Sequence, residues 1–228
     1  MRTAQMCDVW KNEVFGEEAA RVHCVLGTQG GWHGLEEGAL ECPEWVAEGN
    51  IPCYQHGFDS IGITGYFSGC LHGSVGWPPQ DNTDAIRSWF DDPDGGVQKA
   101  LEQVVDGRHF ECDDTLEGLQ NTYDYFVELA TGLNMEVVAY EGGQHITGNG
   151  HAILEDQDFI DFHIAINRAD GMKTVYADNF EMWQEAGGTL FMHFVDFGRP
   201  SKYGSWGALE YLGQQSSPRW EAITEFNS

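Results

Sequence analysis

A carboxylate, an amide and an imidazole stand close together in the run Glu141-Gly142-Gly143-Gln144-His145. A carboxylate there can attack an electrophilic carbon or transfer a proton, and the amide and imidazole can orient it or hold a substrate hydroxyl group. The glycines permit a sharp turn and close approach of another molecule to the backbone. We therefore predict that Glu141 is a catalytic carboxylate and that Gln144 and His145 bind substrate. The structural alternatives are a glutamate that only caps a helix or pairs with an arginine, and a histidine that only satisfies backbone carbonyls.

Aromatic side chains follow several of the predicted strands: Trp32, Tyr66, Phe67, Trp77, Tyr203 and Trp206. A flat ring can stack on the C–H face of a pyranose sugar, although the same rings are equally good core material. Trp206 lies between Gly204 and Gly207 in a loop, which favours an exposed sugar platform. Together with Gln29, a candidate hydroxyl ligand, Tyr66 and Trp206 complete the predicted substrate-binding set.

A metal site and a nucleophilic serine have weaker support in the sequence than the carboxylate site. Nine histidines are present, and His145, His151 and His193 come nearest to a cluster, but the chain has no His-Glu-x-x-His and no tight ligand spacing. No Gly-x-Ser-x-Gly sequence marks a nucleophilic serine. We predict no metal site and no cofactor. Asp196 also ends an apolar run, and the nearby Arg199 predicts a structural salt bridge for it.

Four short apolar runs predict the strands that carry these residues, at 21–27, 59–67, 135–141 and 189–196. Helical periodicity predicts the segments between and around them, at 3–15, 83–90, 97–105, 115–131, 156–168, 174–186 and 219–226. Alternation of this kind is typical of an α/β fold, a parallel sheet of βα units covered by helices. Ligands bind at the carboxyl ends of the strands in such sheets, where the predicted site residues lie. No repeat or linker divides the chain, so we predict a single domain over 1–228.

Two helices permit sharper predictions. In the segment 3–15 one apolar face predicts buried side chains, namely Met6, Val9, Trp10 and Val14. In the segment 115–131, Asp114 is placed to cap the start and Gly132 to adopt a left-handed conformation at the end.

Composition narrows the class of partner. The 228 residues include 11 Lys and Arg against 37 Asp and Glu, a net charge of −26. Such a surface repels phosphate backbones and anionic membranes, so we predict neither nucleic-acid nor membrane binding; it suits either salty surroundings or ordinary solubility. No signal peptide is recognisable, and an extracellular or periplasmic location stays open if the natural amino terminus lies upstream. The even number of cysteines permits disulfides, for instance Cys42–Cys53, or buried thiols.

Four strings carry a resemblance to a known family. They are Arg-Val-His-Cys-Val-Leu-Gly-Thr-Gln at 21–29, Gly-Tyr-Phe at 65–67, Val-Ala-Tyr-Glu-Gly-Gly-Gln-His at 138–145 and Phe-Gly-Arg-Pro-Ser-Lys-Tyr-Gly-Ser-Trp-Gly at 197–207. Together they resemble the carboxyl-terminal half of a glycoside-hydrolase-like (β/α)8-barrel family, whose bacterial members are often labelled cellulose-binding or glycosidase-like. The resemblance covers most of the chain, and the last two strings are its most specific parts.

The resemblance implies that the chain forms the last four βα units of a TIM barrel, with Glu141 closing the seventh strand. In two-glutamate glycosidases that position holds the nucleophile of a retaining hydrolase acting on a polysaccharide or oligosaccharide. The acid/base glutamate ends the fourth strand and would lie upstream of this chain; Asn12-Glu13 does not replace it, because that pair lies in a helical pattern. The chain alone is then expected to be inactive and to associate with the missing amino-terminal half or with itself. The alternative is a non-catalytic carbohydrate-binding barrel fragment.

Overall fold

The structure is a computed structural model that describes residues 1–75 and 80–228. Its strands are β1 (Val25–Gly27), β2 (Ser60–Phe67), β3 (Ser74–Val75), β4 (Gln80–Asp81), β5 (Glu136–Gln144) and β6 (Leu190–His193). Its helices are α1 (Arg2–Asp8), α2 (Glu37–Glu41), α3 (Pro43–Ala47), α4 (Thr83–Arg87), α5 (Val97–Asp106), α6 (Leu116–Gly132), α7 (Gln157–Arg168), α8 (Gly171–Ala186) and α9 (Pro218–Phe226). A π-helical segment follows α1 at Val9–Phe15, and 3-10 turns lie at Gly16–Arg21, Cys53–Gln55 and Ala152–Glu155.

The main sheet is parallel and has four strands in the order β1-β2-β5-β6. Val25 of β1 lies opposite Ser60 of β2, and the register continues to Gly27 and Gly62. The strands β3 and β4 form a separate antiparallel pair. The predicted α/β class with parallel βα units is therefore confirmed, whereas the half-barrel stays a prediction. Within the described residues, no helix has the length and apolar character needed to cross a membrane.

The chain divides into two compact units. Unit 1 comprises Met1–Gly65, Thr122–Tyr140 and Ala186–Met192. Unit 2 comprises Tyr66–Asn121, Glu141–Glu185 and His193–Ser228. The sheet strands begin in unit 1, and the last residues of β2, β5 and β6 belong to unit 2. The single domain predicted from the sequence stays a prediction.

Unit 1 has its core between the sheet and the second half of α6. Ile61 and Ile63 of β2 are fully buried, because alternate side chains of a strand point to the same face. Gly65 continues this face, and a Cβ atom there would lie 2.7 Å from the Phe191 ring and 2.8 Å from the Tyr123 hydroxyl. Only glycine therefore leaves room for Tyr123 of α6 and Phe191 of β6 over this part of β2.

The amino-terminal helix differs from the prediction. The four side chains expected to be buried are exposed instead, by 61% at Met6, 43% at Val9, 49% at Trp10 and 58% at Val14. Ala4 and Cys7 are the buried residues of α1. Because Cys7 is bonded to Cys24, the disulfide holds that side of the helix against the protein and leaves the apolar face in solvent.

Both predicted caps of α6 are wrong. Thr115, not Asp114, caps the start, since its hydroxyl accepts the Gly118 N–H at 3.1 Å. The Asp114 carboxylate accepts a hydrogen bond from the Ser68 hydroxyl instead. At the other end, Asn134 rather than Gly132 takes the left-handed conformation, with φ of 58°.

Strand ends also differ from the prediction. β5 continues through the glycine pair to Gln144, so Glu141 lies inside the strand and not at its end. β6 stops at His193, and Asp196 lies beyond it. Within the described residues no ion pair joins Asp196 to Arg199, so the predicted salt bridge is wrong.

Three disulfides pair all six cysteines. They are Cys7–Cys24, Cys42–Cys53 and Cys70–Cys112, so of the two states that the sequence leaves open the structure has the disulfides. Cys70–Cys112 lies in unit 2, where it joins the segment after β2 to the segment before α6. The core of unit 2 consists of large apolar and aromatic side chains, among them Phe67, Phe159, Ile166, Met172, Tyr176 and Trp183.

Candidate functional site

Three predicted substrate-binding side chains meet in unit 2. The ring centroids are 5.6 Å apart for Tyr66 and His145, 5.1 Å for His145 and Trp206, and 6.2 Å for Tyr66 and Trp206. Phe194 adds a fourth ring, 5.9 Å from Trp206. Tyr66 and Trp206 are half-buried and His145 is exposed, so a ligand can reach what we call the aromatic cluster (Tyr66, His145 and Trp206).

Neighbouring strands bring two members of the aromatic cluster together. Tyr66 is the second-to-last residue of β2, and His145 directly follows β5. The His145 N–H donates to the carbonyl of Phe67 at 2.6 Å, which fixes the two strand ends to each other. The parallel sheet therefore places these two rings side by side.

The loop after β6 supplies the third ring. The Trp206 indole N–H donates to the Tyr203 carbonyl at 2.9 Å, which folds the ring back over its own loop. Gly204 makes this fold possible: it has φ of +125°, and a Cβ atom there would lie 2.5 Å from the indole nitrogen. The absence of a side chain at Gly204 therefore allows the Trp206 ring to take this orientation.

Glu141 lies in β5 of unit 2 and is half-buried. Among the described residues its carboxylate has no hydrogen bond and no ion pair, so neither the arginine partner nor the helix cap of the structural alternative is present. An accessible carboxylate without a protein partner can accept a hydrogen bond from a ligand hydroxyl group or attack a ligand carbon.

Gln144 has a different environment from the one expected of a ligand-binding residue. It is 1% exposed, and its amide nitrogen donates to the Ser205 carbonyl at 2.9 Å. Its amide oxygen accepts the Ile146 N–H at 2.8 Å. Both polar ends of the side chain are therefore engaged, and Gln144 joins β5 to the residue that precedes Trp206.

A buried polar network supports this junction. The Gln144 N–H donates to the Tyr176 hydroxyl at 3.0 Å, and that hydroxyl lies 3.2 Å from His193 Nε2. Arg219 is 3% exposed and donates to the Ser205 carbonyl at 2.6 Å. Burial raises the pKa of Tyr176 and lowers the pKa of His193 to about 4, so the phenol and the imidazole are both neutral at pH 7.

Asp114 is a residue of this region that the sequence reasoning missed. Its backbone carbonyl accepts the N–H groups of Ser68 and Gly69, at 3.0 and 2.7 Å, and its carboxylate accepts from the Ser68 hydroxyl. The Asp114 residue as a whole is exposed, but many protein atoms surround its carboxyl group. The resulting desolvation raises the pKa of this carboxyl group, while the hydrogen bond from Ser68 and the charge of the nearby His145 oppose the shift. The Asp-Asp-Thr run at 113–115 signalled only a helix start, and nothing in it points to Ser68.

Two further histidines of unit 2 lie against each other. His72 and His151 stack with centroids 4.0 Å apart, and burial, followed by the charge of His151, lowers the pKa of His72 to about 4. Among the described residues, no group of three or more His, Cys, Asp or Glu side chains is arranged to hold a metal ion.

Two other predicted residues belong to unit 1. Gln29 is exposed in unit 1, two residues after β1. Trp32, in the same loop, is 64% exposed. Trp77 falls outside the described residues.

Comparison with protein-family models, curated proteins and solved structures found no match to this chain.

Proposed function

We propose that this protein is carbohydrate-active and that the aromatic cluster binds a sugar ring of a polysaccharide or oligosaccharide. The meeting of Tyr66, His145 and Trp206 is the observation that supports the proposal most. Half-exposed rings offer faces for the C–H side of a pyranose, and an imidazole can exchange hydrogen bonds with hydroxyl groups. A neutral polymer suits a chain of net charge −26 better than a polyanion does.

We further propose that Glu141 is the nucleophile of a retaining glycoside hydrolase. In this step a carboxylate oxygen bonds to the anomeric carbon while the bond from that carbon to the leaving oxygen breaks, and water then hydrolyses the glycosyl ester. A second carboxylic acid has to protonate the leaving oxygen, and we assign it to the amino-terminal half of a barrel. The accessible, unpartnered carboxylate of Glu141 supports the role.

One face of the sheet in unit 1 supports the half-barrel. A Cβ atom at Gly62 would meet the side chains of Val25 and Tyr140, so these residues share the face that lies opposite α6. By alternation Leu190 and Met192 share it too. These four apolar side chains are 38 to 54% exposed, whereas the inner face of a closed barrel is packed with side chains. We propose that an amino-terminal half-barrel covers this apolar face, or failing that a second copy of the chain.

Trapping with a fluorinated sugar tests the role of Glu141. Dinitrophenyl 2-deoxy-2-fluoroglycosides release their phenolate without protonation, so the trapping needs no acid residue, and the fluorine slows hydrolysis of the ester. We expect one of a set of gluco-, xylo- and manno-configured reagents to add one sugar mass to the peptide that contains Glu141. Glu141→Gln should abolish the addition, and Glu136→Gln, an exposed carboxylate of the same strand, should leave it unchanged.

The outcomes separate the two functions. Labelling that persists in Glu141→Gln contradicts the nucleophile assignment. Sugar binding without labelling by any reagent favours the alternative, a non-catalytic carbohydrate-binding fragment. That alternative keeps the aromatic cluster as its binding site.

We also infer that the protein works in an oxidising compartment. All six cysteines are paired in disulfides, and such bonds persist mainly in secreted, periplasmic or cell-surface proteins. An external polysaccharide is available in the same compartments.

A further inference from the structure

A second concave surface lies in unit 2, apart from the aromatic cluster. It is a cleft of about 750 Å³ between α7 and the loops that follow β6. Its polar lining residues are Asp161, Arg168, Arg199 and Glu210, and Tyr211 supplies an aromatic ring. No residue of the aromatic cluster lines it, so it is a separate site.

The walls of the cleft combine an exposed ring with apolar surface. Tyr211 is 63% exposed, and Ile164 and Pro200 line the same cleft. A large exposed aromatic ring beside apolar groups can bury substantial area when a flat ligand stacks on it.

The cleft contains two arginines and two carboxylates, and one of these charged groups has no partner among the described residues. Arg168 makes a two-pronged ion pair with Glu210, at 2.6 and 2.8 Å, and the arginine lowers the pKa of that carboxyl group. Asp161 accepts a hydrogen bond from Gln157 at 2.9 Å. Arg199 is exposed and has neither an ion pair nor a hydrogen bond among the described residues, although the chain carries 37 acidic side chains. Its guanidinium donors are available to a ligand.

A short backbone ladder connects the cleft to the aromatic cluster. The Val195 N–H donates to the Trp206 carbonyl at 3.1 Å, and the Gly198 N–H donates to the Leu209 carbonyl at 2.9 Å. These bonds fix the path from Trp206 to Tyr211, whose five residue steps can span at most about 17 Å. An oligosaccharide of several units can span that length.

We propose that this cleft is a second binding site for the same polysaccharide, in which a neutral pyranose unit stacks on Tyr211. The proposal rests on the proposed carbohydrate-binding function. Arg199 donates hydrogen bonds to sugar hydroxyls, and the Asp161 and Glu210 carboxylates accept them; charge-assisted bonds of this kind are the stronger ones. A neutral sugar is the matching class, because two arginines and two carboxylates balance in the cleft and the net charge of −26 repels acidic polymers.

Titration calorimetry with neutral hexasaccharides of the gluco, xylo and manno series tests the proposal. We expect Tyr211→Ala and Arg199→Gln each to weaken binding of the hexasaccharide that the wild type binds, by about five- to tenfold. Leu212→Ala is the matched control: this side chain is 83% exposed next to Tyr211, does not line the cleft and should leave affinity unchanged.

A Trp206→Ala variant separates this inference from the proposed function. If Trp206→Ala weakens binding and Tyr211→Ala and Arg199→Gln do not, the second site is overturned and the aromatic cluster stands. If only the cleft variants weaken binding, the second site stands and the cluster assignment fails. If the wild type binds none of the hexasaccharides, both are overturned.

Discussion

At the scale of single residues, the buried imidazoles of unit 2 connect stability to pH. Burial lowers the pKa of His72, His163 and His193 to about 4 each, from 6.5. The unfolded chain therefore binds more protons than the folded protein between these values. The stability due to neutral histidines is complete above about pH 6.5 and is lost as the pH falls towards 4.

We expect the free energy of unfolding, measured by urea denaturation, to fall as the pH is lowered from about 7 to about 5, where most carboxylates stay ionised. His163→Gln should reduce this dependence, because the glutamine can still donate to the Leu71 carbonyl that His163 Nε2 contacts at 3.0 Å but does not titrate.

His33→Gln is the matched control, since His33 is exposed, and it should leave the pH dependence as in the wild type. A free energy of unfolding that is flat over this range would contradict the neutral state of the buried histidines.

At the scale of secondary-structure elements, the segment after β2 and the segment before α6 support the candidate site. Ser68 and Asp114 are hydrogen-bonded to each other. The disulfide Cys70–Cys112 joins the same two segments, two residues after Ser68 and two residues before Asp114. Tyr66 leads directly into this junction. The disulfide therefore both stabilises unit 2 and restrains the end of β2 beside the aromatic cluster.

We expect the double variant Cys70→Ala, Cys112→Ala to lose about 4 kcal/mol of unfolding free energy, because that bond closes a loop with a sequence separation of 42. Cys42→Ala, Cys53→Ala should lose less, about 3 kcal/mol, since its separation is 11. Urea denaturation of both variants under non-oxidising conditions measures the difference.

The two variants should also differ in how strongly the aromatic cluster binds an oligosaccharide. Loss of Cys70–Cys112 should weaken oligosaccharide binding, and loss of Cys42–Cys53, which lies in unit 1, should not. Equal losses of stability and unchanged binding in both would contradict the role given to Cys70–Cys112.

At the scale of the whole molecule, an apolar sheet face and a large negative charge have opposite effects on association. Exposed Val25, Tyr140, Leu190 and Met192 favour burial against another surface. The net charge of −26 opposes contact between copies until salt screens it. Self-association should therefore depend on ionic strength.

We expect sedimentation velocity to show a shift towards larger species as sodium chloride is raised from about 0.05 to 1 M, because the Debye length falls from more than 10 Å to about 3 Å. Leu190→Ser, Met192→Ser should suppress the shift, and Leu212→Ser should not, because this leucine lies outside the sheet although it is 83% exposed against 53% for Leu190. A wild type that stays monomeric at all salt concentrations would contradict an uncovered apolar face.

Much of the architecture was predictable because it depends on local periodicity. The strand at 59–67 and the helices at 115–131 and 156–168 were placed to within one residue, since alternation and helical spacing are properties of neighbouring side chains. The amino-terminal helix was misjudged, because a disulfide to a distant cysteine decides which of its faces is buried.

Periodicity and composition are enough to predict the parallel α/β class, the acidic surface and the set of residues around Glu141 that can do chemistry. Which of these residues a ligand can reach depends on packing between remote segments: Gln144 is buried and engaged, whereas His145 beside it contacts Tyr66 and Trp206. Successive residues of a strand point to opposite faces, and what covers each face comes from remote parts of the chain. Asp114 illustrates the same cause, because its partner Ser68 lies 46 positions away and no local pattern encodes that contact.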